Sequence, residues 1–266
     1  MAATEPTLGS AAKWGPLWGS RPRAWAEDED QQAPTYEAAI RHVGIAPGQR
    51  VLDVGCGTGA FLRLAAERGA VPFGLDASQA LLEIARERVP DAELVAGEME
   101  RLPYDDDTFD LVTGFNSFFF AANLVAALRE AGRVAKPGAQ VVIQVWGPPE
   151  RCDLEAMKKV ARSYAPPPPP EAPPPPKLWE PGVLENLATE AGLIPETTFD
   201  ASYPFEYPDE ETLGRLLTAP MGLAELAGPE REPALRCAIL DALAPYRAPD
   251  GGYRLHNEFH FLVARA

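Results

Sequence analysis

Several residue types are scarce in this sequence of 266 residues. Its three cysteines, Cys56, Cys152 and Cys237, are too few and too scattered for a disulfide framework or a zinc site. Basic side chains are also scarce relative to acidic ones. The chain has 24 Lys and Arg and 39 Asp and Glu, which gives a formal net charge of −15. That negative field repels phosphate backbones and anionic lipid headgroups, so we expect neither a nucleic-acid partner nor binding to a membrane surface.

Long apolar runs are absent as well. No stretch approaches the roughly 18 residues of a membrane-spanning helix, and nothing near Met1 has the apolar region of a secretory signal. Hydrophobic residues still make up 46% of the chain and charged residues 24%, so a chain of this length can bury a core without metals or disulfides. We therefore expect a soluble, cytoplasmic protein with no membrane insertion.

Two segments stand out by composition. Residues 1–35 are rich in Ala, Gly and Pro and carry three of the five tryptophans, Trp14, Trp18 and Trp25. They predict a loose leader that packs onto the domain through its rings, or one whose rings partly cover a ligand. Residues 166–170 and 173–176 are all proline, which predicts a rigid polyproline loop.

Between residues 50 and 146 short apolar runs alternate with helical patterns. The predicted strands lie at 50–54, 71–75, 93–96, 109–115 and 140–146. Strands separated by helices at this spacing predict a parallel sheet with helices on both faces. The remainder has helical patterns at 154–164, 181–192 and 209–247, with strands at 194–203 and 258–264.

The segment VLDVGCGTG at 51–59 runs from a strand through three glycines into a helix. Glycines allow close backbone approach to a ligand, and a helix N-terminus offers free N–H groups. Asp76 ends the second strand, where a carboxylate reaches ribose hydroxyls in such folds, and Glu98 follows the third, where it could accept from an adenine amino group. The glycine spacing G-x-G-x-G differs from the G-x-G-x-x-G of dinucleotide sites.

The segment VLDVGCGTG is followed by GLDAS at 74–78, GEMERLPYDDDTFDLV at 97–112 and LREAGRVAKPGAQVVI at 128–143. Together these four segments resemble the class I S-adenosylmethionine-dependent methyltransferases. The similarity is strongest to the bacterial small-molecule branch, type 11, near the ubiquinone and menaquinone enzymes. The resemblance implies an α/β, Rossmann-like sheet of seven mostly parallel strands, the last antiparallel, with helical lid insertions. It also implies S-adenosylmethionine as cofactor and methyl transfer to a small, fairly apolar acceptor.

The resemblance assigns roles to individual positions. Gly55, Gly57 and the backbone of Cys56 would contact the methionine part of the cofactor, Asp76 the ribose, and Phe115 would lie near the reacting end. The full predicted cofactor set is Asp53, Gly55, Cys56, Gly57, Asp76, Ala77, Glu98, Met99 and Phe115. Asp53 would orient either the glycine loop or the cofactor's ammonium group. Glu98 departs from the commoner aspartate at the adenine, although its longer side chain should still reach.

The connectivity also predicts where the acceptor would bind. We expect a leader or lid at 1–35, a cofactor-binding core at 36–146, a helix and polyproline loop at 147–180, and the end of the sheet at 181–266, with a helical cap at about 204–252. The segments 1–35, 147–177 and 204–252 all join the chain near one edge of the sheet, so they predict a three-part lid over the acceptor pocket. Its aromatic side chains would be Trp14, Trp18, Trp25, Tyr203, Phe205 and Tyr207. Removal of residues 1–28 would then spare cofactor binding and reduce methyl transfer.

No catalytic acid or base is evident from the sequence. A sulfonium donor is already activated, so catalysis mainly needs alignment and exclusion of water. His256, Glu258 and His260 alternate onto one face of the last strand. Two interpretations stay open: this is an ordinary edge-strand face, or His256 or Glu258 accepts a proton. Phe118, Phe119 and Phe120 belong to the core, unless one lines the acceptor pocket. Two other functions remain open: a nicotinamide-dependent oxidoreductase and a non-catalytic cofactor-binding protein.

Overall fold

The computed structural model describes residues 9–164 and 175–266. Most of the predicted polyproline loop lies outside these residues. The strands form one sheet in the order β3-β2-β1-β4-β5-β7-β6, in which β7 is antiparallel to both of its neighbours. They are β1 (Arg50–Val54), β2 (Val71–Asp76), β3 (Glu93–Ala96), β4 (Phe109–Phe115), β5 (Ala135–Trp146), β6 (Ile194–Tyr207) and β7 (Tyr253–Arg265). The predicted fold class is confirmed.

Helices cover both faces of this sheet. They are α1 (Ala11–Trp18), α2 (Pro22–Glu29), α3 (Ala33–Val43), α4 (Ala60–Glu67), α5 (Gln79–Arg88), α6 (Leu124–Val134), α7 (Glu155–Tyr164), α8 (Val183–Glu190), α9 (Glu210–Leu216), α10 (Leu223–Ala227) and α11 (Glu232–Leu243). The two faces form separate cores: Val51 belongs to one apolar cluster and Leu52 to the other, and neither is exposed. Neighbouring residues of a buried strand point to opposite faces, so a parallel sheet needs an apolar side chain at nearly every position.

The leader is helical over most of the described part, which corrects the prediction of a loose segment. Gly15 and Pro16 lie inside α1 and are turn signals when taken from sequence alone. Packing overrides that signal, because a Cβ on Gly15 would lie 2.4 Å from the carbonyl oxygen of Ala77. Helix α1 therefore rests directly on the backbone that follows β2.

The last two strands are longer than predicted. Strand β6 continues past Tyr203 to Tyr207, and β7 begins at Tyr253, because the two pair along their whole length. Pro204 interrupts the sequence pattern but is tolerated, since β6 is the edge strand of the sheet. The connection between them carries α9, α10 and α11, and α11 packs against α7.

Candidate active site

A cavity of about 500 Å³ lies at the carboxyl ends of the central strands. Its wall contains seven of the nine predicted cofactor residues, which are Asp53, Gly55, Gly57, Asp76, Ala77, Met99 and Phe115. These positions meet because the carboxyl ends of parallel strands share one edge of the sheet. The cavity is thus the place where a cofactor and an acceptor could lie side by side.

Two predicted cofactor residues lie outside the cavity wall. The side chain of Cys56 is buried against Gly74, and the backbone N–H of Cys56 donates to the carbonyl of Leu75 at 3.0 Å. The carboxylate of Glu98 accepts from the N–H of Ala11 at 2.9 Å and from the Ser10 hydroxyl at 3.3 Å. The leader therefore engages the acid expected at the adenine, and the adenine role of Glu98 stays a prediction.

The glycine loop does not offer the free N–H groups that the sequence predicts. The N–H of Gly55 donates to the Leu75 carbonyl at 2.7 Å, and that of Gly57 donates to Asp76 Oδ2 at 2.9 Å. Thr58 donates both its N–H, at 2.9 Å, and its hydroxyl to Oε2 of Glu29. A carboxylate of the leader thus caps the start of α4, where free N–H groups were expected.

The glycines instead supply space and backbone freedom. Gly57 has a φ of 54°, and a Cβ there would lie 2.7 Å from Oε1 of Glu29. Gly55 has a φ of 78°, and its Cβ would lie 2.3 Å from that of Ser117. Both positions combine left-handed backbone with close neighbours, which only glycine accommodates without strain.

Four buried carboxylates line the cavity: Asp28, Glu29, Asp53 and Asp76. Burial is the largest influence on each and raises the pKa of Asp28 to about 6, that of Glu29 to about 7 and that of Asp53 to about 8. The pKa of Asp76 is also raised by burial, against hydrogen bonds from backbone N–H groups that lower it. Such a group of acids favours a ligand that carries positive charge and hydroxyl or ammonium donors.

Neutral donors hold two of these acids in place. The Tyr207 hydroxyl donates to Asp28 Oδ1 at 2.8 Å, and the Thr113 hydroxyl donates to Asp53 Oδ1 at 2.7 Å. Neither donor brings a positive charge, so neither neutralises its carboxylate. Sequence analysis missed Asp28 and Glu29, because only the docking of the leader brings them to the sheet edge.

Asn116 is a further site residue that the sequence did not assign. It follows β4, lines the cavity and has a φ of 51°, a left-handed conformation that asparagine tolerates better than most residues. Its Nδ2 donates to Gln32 at 3.3 Å, while its Oδ1 is buried without a hydrogen-bond partner among the described residues. Unpaired buried acceptors are costly, which suits a ligand donor at this position.

These groups fit S-adenosylmethionine. The cofactor carries a sulfonium, an ammonium group and ribose hydroxyls, and the site offers carboxylates and the free amide oxygen of Asn116. Aromatic rings surround the same space: Trp14 packs on Phe120 at 4.8 Å between ring centroids, and Trp18 on Trp25 at 4.6 Å. Aromatic faces near a sulfonium add cation–π attraction.

The other end of the cavity is largely apolar and is built by segments outside the core. Leu154, just before α7, and Met157 and Ala161 of α7 line this end, and the cap contributes residues such as Leu217 and Leu223. The leader, residues 147–164 and the cap therefore lie around one cavity, and their action as a lid remains a proposal.

Only some of the aromatic side chains considered for the acceptor pocket line the cavity. Phe119, Phe120 and Phe205 line the cavity, whereas Phe118 is buried in the core. Tyr203 is not in the wall, and its hydroxyl accepts from Arg41 at 3.1 Å. Tyr207 also stays outside the wall and acts on the site through Asp28.

The polar face of β7 does not reach the cavity. His256 is exposed, Glu258 pairs with Arg151 at 3.0 Å, and His260 Nδ1 lies 2.7 Å from Asp200. None of these three side chains lines the cavity wall, so a proton-accepting role for His256 or Glu258 gains no support from the cavity and stays a prediction. The expectation of an edge strand is wrong, because β7 lies inside the sheet between β5 and β6.

Within residues 9–164 and 175–266, no group of three or more His, Cys, Asp or Glu side chains is arranged to hold a metal ion. Among the helices of the same ranges, none has the length and apolar character needed to cross a bilayer.

Comparison with known proteins agrees with this geometry. A family model described as a methyltransferase domain matches residues 52–143. Demethylmenaquinone methyltransferase of Tropheryma whipplei (strain Twist) is 35% identical over 123 residues, 46% of this chain and 52% of that protein. Malonyl-acyl-carrier-protein O-methyltransferase of Serratia marcescens is 35% identical over 96 residues, 36% of this chain and 38% of that protein.

A Bacillus halodurans C-125 structure described as a methyltransferase has a TM-score of 0.58 at 17% identity, covering 86% of this chain and 97% of its own. That likeness concerns the fold alone. The chain spans about half the length of the first curated relatives it matches. Residues 52–143 of this chain therefore form a methyltransferase domain of the type 11 family.

Proposed function

We propose that this protein transfers the methyl group of S-adenosylmethionine to a small, largely apolar acceptor. The observation that carries the proposal is the continuity of the cavity. It joins the buried carboxylates at the sheet edge to an apolar wall built by the leader, α7 and the cap. An acceptor in that wall would lie next to a cofactor at the carboxylates, with little water between them.

In this proposal, each end of the cofactor meets residues of matching chemistry. Asp76 accepts from the ribose hydroxyls, while Ala77 and Met99 form the apolar wall beside the adenine. Asp53 and Asn116 accept from the ammonium group. When bound, the cofactor supplies an electrophilic methyl group on a positively charged sulfur.

The remaining residues position the acceptor and handle its proton. The tryptophans of the leader exclude water, and Phe205 with Trp146 packs on the apolar body of the acceptor. Asp28 is proposed to take a proton from an acceptor that releases one. One of its oxygens is held by Tyr207, and its pKa of about 6 keeps it mainly ionised near neutral pH. The formal charge of −15 supports a small-molecule acceptor in place of a nucleic acid.

The test begins with ligand binding. Calorimetry and melting curves compare S-adenosylhomocysteine with NAD; we expect the first to bind and to raise the melting temperature, and the second to do neither. Stabilisation by NAD alone would instead support a nicotinamide-dependent oxidoreductase. Transfer of a labelled methyl group to a panel of small acceptors follows. Tight binding without transfer to any acceptor would support the non-catalytic alternative.

A further inference from the structure

We propose that the acceptor carries an anionic oxygen on an apolar body, and that Lys158 binds this oxygen. The inference rests on the proposed function and specifies the class of acceptor. Lys158 lies on α7 and lines the cavity beside Trp146 of β5, a strand that β4 separates from Asp53 of β1. Met157 and Ala161 of the same helix, and Leu154 just before it, are buried and apolar.

The ammonium group of Lys158 has no complementary charge. Its Nζ lies 3.5 Å from the ring centroid of Trp146 and makes no hydrogen bond or ion pair with any residue that the structure describes. The nearest carboxylate on the helix, Glu155, is already paired with Arg162 at 2.7 Å. Three N–H donors are therefore left facing an aromatic ring and an apolar wall.

A lysine in this setting is costly to keep charged. Burial lowers the pKa of Lys158 to about 8, while nearby Cys152 and Glu155 raise it in part. Contact with an aromatic face offsets some of the lost hydration but replaces no hydrogen bond. An anionic oxygen would supply both the missing charge and the missing acceptor.

The charges at the two ends of the cavity would also orient such an acceptor. At neutral pH the ionised acids at the sheet edge, such as Asp28, repel an anion, whereas Lys158 attracts it toward α7. The apolar body then packs on Trp146 and Phe205, and the far end of the acceptor points to the cofactor. A cationic acceptor would bind in the reverse direction, with its charge at the cofactor end.

The experiment uses matched probes with the full chain saturated with S-adenosylhomocysteine. Calorimetry compares 2-naphthoate, its neutral amide and a naphthyl amine in wild type, Lys158→Met, Lys158→Arg and Lys159→Met. Lys159 is the exposed neighbour on the same helix and serves as the matched control. We expect wild type to bind the carboxylate about tenfold or more tightly than the amide, in keeping with a charged hydrogen bond.

Lys158→Met should lose about that tenfold preference and bind the amide as wild type does, while Lys158→Arg and Lys159→Met keep the preference. The inference would be overturned if Lys158→Met bound the carboxylate as tightly as wild type does. It would also be overturned if wild type did not bind the carboxylate, did not prefer it to the amide, or bound the amine more tightly. Affinity for S-adenosylhomocysteine is measured first in every variant, together with the melting temperature. If wild type does not bind S-adenosylhomocysteine, the proposed function is refuted. If wild type binds it but shows no preference for the carboxylate, only the role of Lys158 is refuted.

Discussion

Single side chains at the cavity are held mainly by groups of the chain itself. Asp76 accepts from the N–H of Gly57 at 2.9 Å and from that of Ser78 at 2.8 Å. Its carboxylate therefore fixes the glycine loop and the start of α5 at the same time. The remaining lone pairs are what a ribose would use, so the residue combines a structural task with the proposed binding task.

Asp76→Ala should weaken S-adenosylhomocysteine binding by roughly 1.5–3 kcal/mol, because it removes charge-assisted hydrogen bonds to hydroxyls. Calorimetry measures the affinity, and melting curves measure the stability lost with the two backbone contacts. Asp105→Ala, in an exposed turn, is the matched control. An unchanged affinity in Asp76→Ala would remove the ribose assignment.

The raised pKa of Asp53 makes a prediction about pH. Its folded-state pKa of about 8 lies above the value near 4 of an unfolded chain, so the folded state binds more protons between these values. Stability of the ligand-free protein should therefore fall as pH rises from about 5 to about 8. Glu29, with a pKa of about 7, acts in the same direction.

Asp53→Asn isolates this contribution, because an amide does not titrate in that range. Calorimetric melting temperatures across the range should fall less steeply in Asp53→Asn than in wild type. Asp105→Asn, which changes an exposed carboxyl, should follow wild type. Parallel curves for Asp53→Asn and wild type would show that Asp53 keeps an ordinary pKa.

Among the secondary-structure elements, the leader helices are tied most directly to the cofactor end. Glu29 of α2 accepts from Thr58, and Arg88 of α5 donates to the Ala26 carbonyl at 2.9 Å. On the other side of the leader, Arg21 pairs with Glu232 of the cap at 2.8 Å. The leader thus bridges the glycine loop and the cap.

These contacts change the expected effect of removing residues 1–28. From sequence alone the leader is separable from cofactor binding, but in the structure it contacts Ala77 and Glu98 and supplies Asp28. We now expect the truncation to weaken S-adenosylhomocysteine binding by more than a few fold and to abolish methyl transfer.

Glu29→Ala in the full chain tests the contact between the leader and the glycine loop without removing residues 1–28. It removes the acceptor for Thr58 and should destabilise the protein by roughly 1–3 kcal/mol, measured by denaturant unfolding. Hydrogen exchange should locate the loss of protection in α1, α2 and the start of α4. Wild-type affinity and activity in the truncated protein would make the leader a simple tail.

For the whole molecule, the three segments outside the core surround one cavity, and ion pairs at the surface join the leader to the cap. Arg215 of the cap pairs with Glu27 of the leader at 2.8 Å, and both side chains are about half exposed. Exposed pairs of this kind contribute little to stability, so breaking them would add little to the cost of opening the proposed lid.

Saturation with S-adenosylhomocysteine and 2-naphthoate should slow hydrogen exchange in the leader, α7 and the cap together. Each element lines the same cavity, so we expect its backbone to open less often once the cavity is filled. The cofactor product alone should protect mainly the glycine loop and the leader. Protection confined to residues 55–59 under both conditions would mean that the segments do not act as a lid.

The sequence by itself determined the sheet and its ligand edge. Strands β1, β3 and β4 have the predicted bounds, and Ser78 caps α5 by accepting from Leu81, because periodicity and turn chemistry act over a few residues. Once the strands are parallel, their carboxyl ends meet at one edge. Asp53, Asp76 and Phe115 then lie together without further information.

Only the tertiary structure decided which groups of that edge remain available to a ligand. Glu29 reaches Thr58 across 29 positions and Tyr207 reaches Asp28 across 179, and no local pattern encodes contacts over such distances. The same holds for Lys158, whose missing partner becomes evident only when α7 packs beside Trp146. Burial sets the charge state of such groups, and burial is a property of the assembled fold.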